Sequence, residues 1–239
     1  MKALESAIHK IHLTNILLDI YKDDVLSPVL GFKGGTAALF FYHLPRFSVD
    51  LNFDLITPYQ KDSLQMQKII DRITNMVSQK YTILDQSKKY NTLFWLASYG
   101  TGLSHIKIEV STRDVSDNHY NFIPFYGATI CVMDIGDMIA HKLVAVMDRK
   151  HPANRDLFDI HYFLSSPVAT ETNYAIITAK TGKNPKEFYK TLLNFVRNVN
   201  PNQILSGLGE LLSESQKKRI KIKLLIELQG LIQRQIDML

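Results

Sequence analysis

Cysteine is nearly absent from this 239-residue chain: Cys131 stands alone. No disulfide can close within the chain and no cysteine-based zinc site can be assembled, which points to a reducing compartment. Long apolar runs are missing too. Nothing approaches the ~18 to 20 unbroken apolar residues of a spanning helix, and the opening Met1-Lys2-Ala3-Leu4-Glu5 brings in an acid where a secretory leader would be apolar. The expectation is a soluble, cytoplasmic protein, complete from residue 1, with no membrane partner. Several catalytic signatures are also lacking: there is no HExxH, no GxSxG, and no GxxxxGK followed by Ser or Thr. Gly182-Lys183 is followed by Asn184, and Gly100-Thr101-Gly102 reads as a turn. With 11 glycines and 8 prolines, no repeat or low-complexity tract stands out.

What is present is a chain 46% apolar and 21% charged, able to bury a core without covalent staples. At roughly 150 residues per domain its length suggests one or two domains. The net charge of +5 is unevenly placed: residues 1–169 hold 17 Lys and Arg against 17 Asp and Glu, whereas residues 170–239 hold 11 against 6. That asymmetry fits a polyanionic partner on the C-terminal part, or a solvated lysine-rich helix face.

Residues 3–21 carry Leu4, Ile8, Ile11 and Leu17 at helical spacing and predict an amphipathic helix. A short extended run, 29–33, leads through Gly34-Gly35 into an apolar helical stretch, 36–44. Residues 49–55 alternate strictly and predict a half-buried strand. A helix over 63–80 and strands over 81–85, 92–98 and 106–110 follow. From Asp134 onward the pattern is helical over 134–149, 155–164, 171–180, 185–198 and 208–238, with breaks such as His151-Pro152. The fold expected is α+β: a mixed sheet with flanking helices over 1–126, then an α-helical bundle over 127–239, with the boundary near an aromatic loop at 119–127.

On the strand 49–55, Asp50, Asn52 and Asp54 share one face and Val49, Leu51, Phe53 and Leu55 the other. Residues two apart lie ~6.6 Å apart along a strand, so Asp50 and Asn52 can reach one metal or a metal pair. Asp54, about 13 Å from Asp50, cannot join without a bend; it reads as a solvated or hydrogen-bonded strand-end acid. Upstream, strand, Gly34-Gly35, Thr36 and helix form the order in which backbone N–H groups approach a phosphate at a helix N-terminus. Phosphate donors and a magnesium-binding strand would then converge on one triphosphate.

These residues carry a resemblance. Phe32-Lys33-Gly34-Gly35-Thr36-Ala37-Ala38-Leu39 and Arg46-Phe47-Ser48-Val49-Asp50-Leu51-Asn52-Phe53 resemble the GG…SxDhDh signature of the AbiEii/AbiGii-type toxin family, a branch of the DNA-polymerase-β-like nucleotidyltransferase superfamily. A second block, Asp137-Met138 through Lys142-Leu143-Val144-Ala145 and Arg149, then Arg155-Asp156-Leu157-Phe158-Asp159, resembles that family's K…A…R…RDhhD helical motif. The resemblance implies a metal-dependent transfer of a nucleotide from an NTP to an acceptor hydroxyl, for some members the 3′ end of tRNA. It also implies an antitoxin partner and a role in growth control or phage defence. By the same resemblance, Gly34, Gly35 and Thr36 would face the triphosphate, with Arg46, Ser48 and Arg155 as further nucleotide contacts. Asp50, Asn52 and Glu109 would hold Mg²⁺ or Mn²⁺, Lys142 would contact phosphates, and Asp156 or Asp159 would complete a catalytic site in the cleft between the domains. Position 52 departs from the family pattern, which has an acid there. An amide oxygen still ligates Mg²⁺ but brings one negative charge fewer. The alternative reading is therefore a catalytically weak nucleotide- or RNA-binding protein that keeps the pocket.

Plainer readings stand beside these. Arg155 and Asp159, four apart on a helix, form a surface ion pair worth a few tenths of a kcal/mol, and Asp156 suits a helix N-terminus. Glu109, like Lys107, decorates the polar side of a strand. Lys142 beside a buried stripe either snorkels or meets an anion. His9 and His12 lack a third metal ligand and read as a polar helix face. The run Lys217-Lys218-Arg219-Ile220-Lys221-Ile222-Lys223 would follow RNA phosphates rather than stack bases, since no aromatic interrupts it.

Overall fold

The computed structural model describes residues 3–60, 63–100, 105–148 and 153–239. They form two compact units, Met1–Asp134 and Ile135–Leu239. Arg149, Gly102 and the His151-Pro152 break lie outside the described residues, as does the side chain of Leu4.

In the first unit the order is α1 (Ala3–Lys22), β1 (Leu30–Lys33), α2 (Gly34–Phe41), β2 (Asp50–Leu55), α3 (Leu64–Ser78), β3 (Thr82–Lys89), β4 (Thr92–Ser98), β5 (His105–Ser111), β6 (Tyr120–Phe125) and β7 (Ala128–Met133). The strands make one mixed sheet in the order β3-β4-β5-β2-β1-β7-β6. β2 runs parallel to β5, and β1 runs parallel to β7. The other neighbours are antiparallel. Leu51 and Phe53 are fully buried, and the Phe53 ring lies 5.2 Å from that of Phe32. Each such side chain removed from water stabilises the fold by about 1.5–3 kcal/mol. From Asp50 to Phe53 the alternation read in the sequence is thus an alternation of half-buried and buried side chains, and Asp54 departs from it by being buried.

Helix α1 buries Leu17, as expected, but on a stripe that leaves Ile8 and Ile11 exposed. Leu13, Ile16, Leu17 and Ile20 are buried together with His9, while Ile11 is 58% exposed. The stripe through Ile8 and Ile11 runs on to Asn15, whereas the one through His9 and Leu13 continues through apolar residues, and the larger apolar face wins the sheet. His9 is therefore a core residue and not part of a polar face.

The expected loop at 119–127 is instead strand β6 and the turn into β7. Tyr126 and Gly127 both have positive φ, 45° and 80°, the geometry of a two-residue turn whose twist suits a hairpin. β7 is buried on both faces, so it shows no alternation to read. Its pairing with β1 keeps residues 128–133 in the first unit, and the division between units falls after Asp134 rather than after residue 126. The lone Cys131 lies on β7, 1% exposed. Burial pushes its thiol pKa up to about 11. The Tyr21 hydroxyl donates toward the Leu30 and Cys131 carbonyls, at 2.7 and 2.9 Å.

The second unit contains α4 (Ile135–Asp148), α5 (Asn154–Leu164), α6 (Tyr174–Thr181), α7 (Pro185–Arg197) and α8 (Glu214–Met238), with short 3-10 turns between some of them. Caps set the boundaries. Asn184 and Glu187 form a capping box at α7, Ser213 and Gln216 another at α8, and Gly182 ends α6 at φ 68°. The helix expected from residue 208 begins only after Ser213 because its hydroxyl takes the Gln216 N–H. Among the described residues no helix is long and apolar enough to cross a membrane.

Candidate active site

β1 passes directly into α2 at Gly34, which has φ +83°. A Cβ on Gly34 would meet Asn52 at 3.2 Å, and one on Gly35 would meet Ser48 Oγ at 2.9 Å and Arg46 Nη2 at 3.0 Å. The two glycines thus let the start of α2 lie against both β2 and the segment leading into it. Lys33, at the N-cap, supplies no side-chain cap to the helix, so the first N–H groups and the positive end of the helix dipole favour an anion there.

The side chains around this turn divide into inward and outward groups. Thr36 is fully buried; its hydroxyl donates to the Asp50 carbonyl at 2.5 Å and lies 2.9 Å from Ser48 Oγ. What Thr36 offers a phosphate is therefore its backbone, not its hydroxyl. Arg46 and Ser48 are also buried, and Arg46 donates to the Phe47 carbonyl at 3.0 Å. Asp50, Asn52 and Glu109 are half-buried. The sheet register places Lys33, Asn52 and Glu109 in one row across β1, β2 and β5, and pairs Asp50 with Lys107.

Asp54 shares the face but not the environment. It is buried rather than solvated: Lys33 Nζ lies 2.5 Å from Oδ1, and Tyr120 and Asn118 donate to Oδ2 at 2.8 and 3.4 Å. Tyr120 reaches it because β1 has Gly31 there, where a Cβ would lie 2.2 Å from the Tyr120 ring. Burial and the Asp54 charge raise the Tyr120 phenol pKa well above its ordinary value. Asp54 is thereby committed to hydrogen bonds inside the sheet face.

Asp50, Asn52 and Glu109 offer carboxylate and amide oxygens on adjacent parallel strands, the donor type that suits Mg²⁺ or Mn²⁺. Among the described residues no group of three His, Cys, Asp or Glu side chains is placed to hold a metal. The set here has two acids, with an amide at position 52.

The second block of expected site residues belongs to the second unit. Lys142 on α4 lies 2.6 Å from Asp159 and 3.8 Å from Asp156, both on α5 and both buried. Lys142 does not snorkel: its side chain is 14% exposed. Arg155, also on α5, is half-buried. Asn173 Nδ2 donates to the buried Asp137 at 2.7 Å. In the basic run at the start of α8, Lys217 pairs with Glu214 and Arg219 with Glu227, while Lys218, Lys221 and Lys223 are exposed.

Sequence reasoning missed His9, Tyr99, Lys33 and Tyr120. Lys33 stood within the quoted motif and Tyr120 in the presumed loop; His9 carried no signal beyond its spacing from Leu13. His9 Nε2 lies 3.0 Å from the Val49 carbonyl and Nδ1 2.9 Å from the Tyr99 hydroxyl. Desolvation holds its pKa below the ordinary imidazole value, against the opposing pull of Val49 and Asp50.

The fold has known counterparts. The "putative nucleotidyltransferase" of H. pylori superposes with a TM-score of 0.65 at 20% identity, covering 98% of this chain and 95% of that one. JHP933 from Helicobacter pylori superposes at 0.63 and 18% identity, over 98% and 92%. No curated protein matches the chain. The family model of the nucleotidyl transferase AbiEii toxin, type IV toxin–antitoxin system, matches residues 16–224, which include the Gly34-Gly35 turn, the Asp50 strand and the Lys142, Asp156 and Asp159 cluster. The chain belongs to this AbiEii family of nucleotidyl transferase toxins.

Proposed function

We propose that this protein transfers a nucleotidyl group from an NTP to an acceptor hydroxyl, with RNA, tRNA among it, as the acceptor class, and that the activity is restrained in the cell by an antitoxin. The observation that carries the reading is the contact of Gly34 with Asn52, which puts a helix N-terminus beside the face holding Asp50. The turn's backbone N–H groups bind the phosphates. Asp50, Asn52 and Glu109 hold Mg²⁺ or Mn²⁺, which when bound supplies charge neutralisation at the phosphoryl oxygens. The acceptor oxygen bonds to the α-phosphorus as the bond to the β-phosphate bridging oxygen breaks, and pyrophosphate leaves with that electron pair. Glu109 takes the acceptor's proton. Arg46, buried against Gly35, fixes the turn. Lys142 and Arg155 are carried as anion-binding cations of the second unit, and Lys218, Lys221 and Lys223 as contacts to an RNA backbone.

A second reading, a nucleotide binder with little turnover, draws on Asn52. Its row neighbours are Lys33 and Glu109, so the face carries less negative charge than one with a second aspartate.

The test is incubation with each labelled NTP, Mg²⁺ or Mn²⁺ and total tRNA, with Asp50→Ala as control. Label appearing on RNA with the wild type and not with the variant supports transfer. NTP binding without transfer across metals and acceptors selects the binder instead. If expression of the chain alone leaves host growth unaffected, the restraint by an antitoxin loses its purpose and that part of the proposal falls.

A further inference from the structure

β2 reaches beyond the strand beside it. Its pairing with β1 covers Asn52 to Leu55 only, whereas its pairing with β5 begins at Asp50. Side chains hold the entry to β2. The imidazole of His9, fully buried on α1, donates from Nε2 to the Val49 carbonyl at 3.0 Å, and the Thr36 hydroxyl on α2 donates to the Asp50 carbonyl at 2.5 Å. These carbonyls belong to the two peptide units that flank the Asp50 Cα. Fixing both planes fixes φ and ψ at Asp50, and with them the direction of its Cα–Cβ bond.

The donor role of His9 follows from what each ring nitrogen faces. Nε2 faces a carbonyl, which only accepts, so Nε2 carries the proton and Nδ1 accepts from the Tyr99 hydroxyl at 2.9 Å. The rings of Phe47 and Tyr99 meet the imidazole edge-on at 5.7 and 5.6 Å and hold its plane. A buried histidine on an otherwise apolar stripe, where leucine would pack as well, has a reason if its N–H is needed.

We infer that His9 is a positioning residue, which aims the Asp50 carboxylate for divalent-metal binding by holding the Val49 carbonyl, with Tyr99 orienting the imidazole. The inference rests on the proposed role of Asp50 as a metal ligand. Residues that orient a metal ligand without touching the metal typically cost 10- to 100-fold in affinity when lost; acting through one peptide plane, His9 belongs at the lower end.

Two substitutions separate this role from packing. His9→Phe keeps a ring and removes the N–H; His9→Gln places an amide N–H near the same point. Mn²⁺ binding to the full chain, followed by the electron paramagnetic resonance signal of free Mn²⁺, is the readout, with Asp50→Asn as reference and thermal melting as a check on folding. His9→Phe weakens Mn²⁺ binding about tenfold, and His9→Gln stays within about twofold of wild type. Where transfer is measurable, kcat falls with KM for the NTP little changed, since the phosphate turn is untouched. Wild-type affinity in His9→Phe, alongside loss in Asp50→Asn, overturns the role of His9 and leaves the metal site standing. Equal Mn²⁺ binding by wild type and Asp50→Asn overturns the metal site and the His9 role together. If His9→Phe does not melt cooperatively, Tyr99→Phe decides: it keeps the ring and removes the orienting hydroxyl, and an affinity loss of two- to threefold supports the inference while an unchanged affinity sinks it.

Discussion

Gly34 and Asn52 touch: a methyl group built on the glycine would sit 3.2 Å from the asparagine Cβ and 3.3 Å from its Nδ2. Gly34 also has a φ of +83°, which costs an L-residue ~1–2 kcal/mol. Gly34→Ala should therefore lower stability by about that amount and push Asn52 aside by a few tenths of an ångström. The larger effect should fall on nucleotide affinity. Isothermal titration with an NTP will show a loss of at least about tenfold, and normal NTP binding by the Gly34→Ala variant would remove the turn from the phosphate site.

Asn52→Asp is nearly isosteric, so it fits against Gly34 where a larger residue would not. It adds a negative charge in a row that already holds Lys33 and Glu109. Metal affinity should rise about tenfold, ~1.4 kcal/mol, with little change in melting temperature. A Mn²⁺ titration reads this directly, and a decrease would mean that position 52 does not face the metal.

Lys142 and Asp159 form a buried pair at 2.6 Å, with Asp159 fully buried. Lys142→Met leaves that carboxylate without its cation and should destabilise the protein by about 3–5 kcal/mol. Lys142→Met combined with Asp159→Asn should recover part of the loss, since the buried Asp156, 3.8 Å from Lys142, still loses that cation. Urea denaturation measures both. If the double variant is stable yet binds NTP more weakly than wild type, Lys142 does more than balance Asp159.

His9, His12 and His161 all have pKa values lowered chiefly by burial. An unfolded imidazole titrates near 6.5, so between that value and the lower folded ones the unfolded chain binds more protons. Stability then rises with pH through this window and is fully present above it. The melting temperature should drop as pH falls from about 7 toward 5. His161, whose Nε2 meets Glu227 at 2.9 Å, offers the cleanest test: in His161→Gln the drop should be shallower. An identical pH profile would remove His161 from the account.

The placement of Asp50 and Asn52 was legible because residues 49–55 alternate in sequence: Leu51 and Phe53 could only be core, which turned Asp50 and Asn52 to the other face. The glycine turn was legible for the same local reason, since strand, two glycines and helix follow one another in the chain. What could not be read depended on partners distant in sequence. Asp54 was separable from Asp50 by its distance along the strand, but whether it was solvated or hydrogen-bonded is decided by Tyr120, 66 positions later. His9 looks like a surface histidine until Val49 and Tyr99 are beside it. The β6–β7 hairpin escaped because Tyr126-Gly127 is not one of the commonest turn pairs and because β7, buried on both faces, has no period-two signal.

The burial of Cys131 has a practical use. Its thiol is almost fully covered and its pKa stands at about 11, so at neutral pH it presents too little thiolate to react. Maleimide dyes and spin labels will pass over the native protein. A cysteine installed at the exposed Tyr90 would be the sole point of attachment, and reporters of binding can be added without first stripping the chain of its own sulfhydryl.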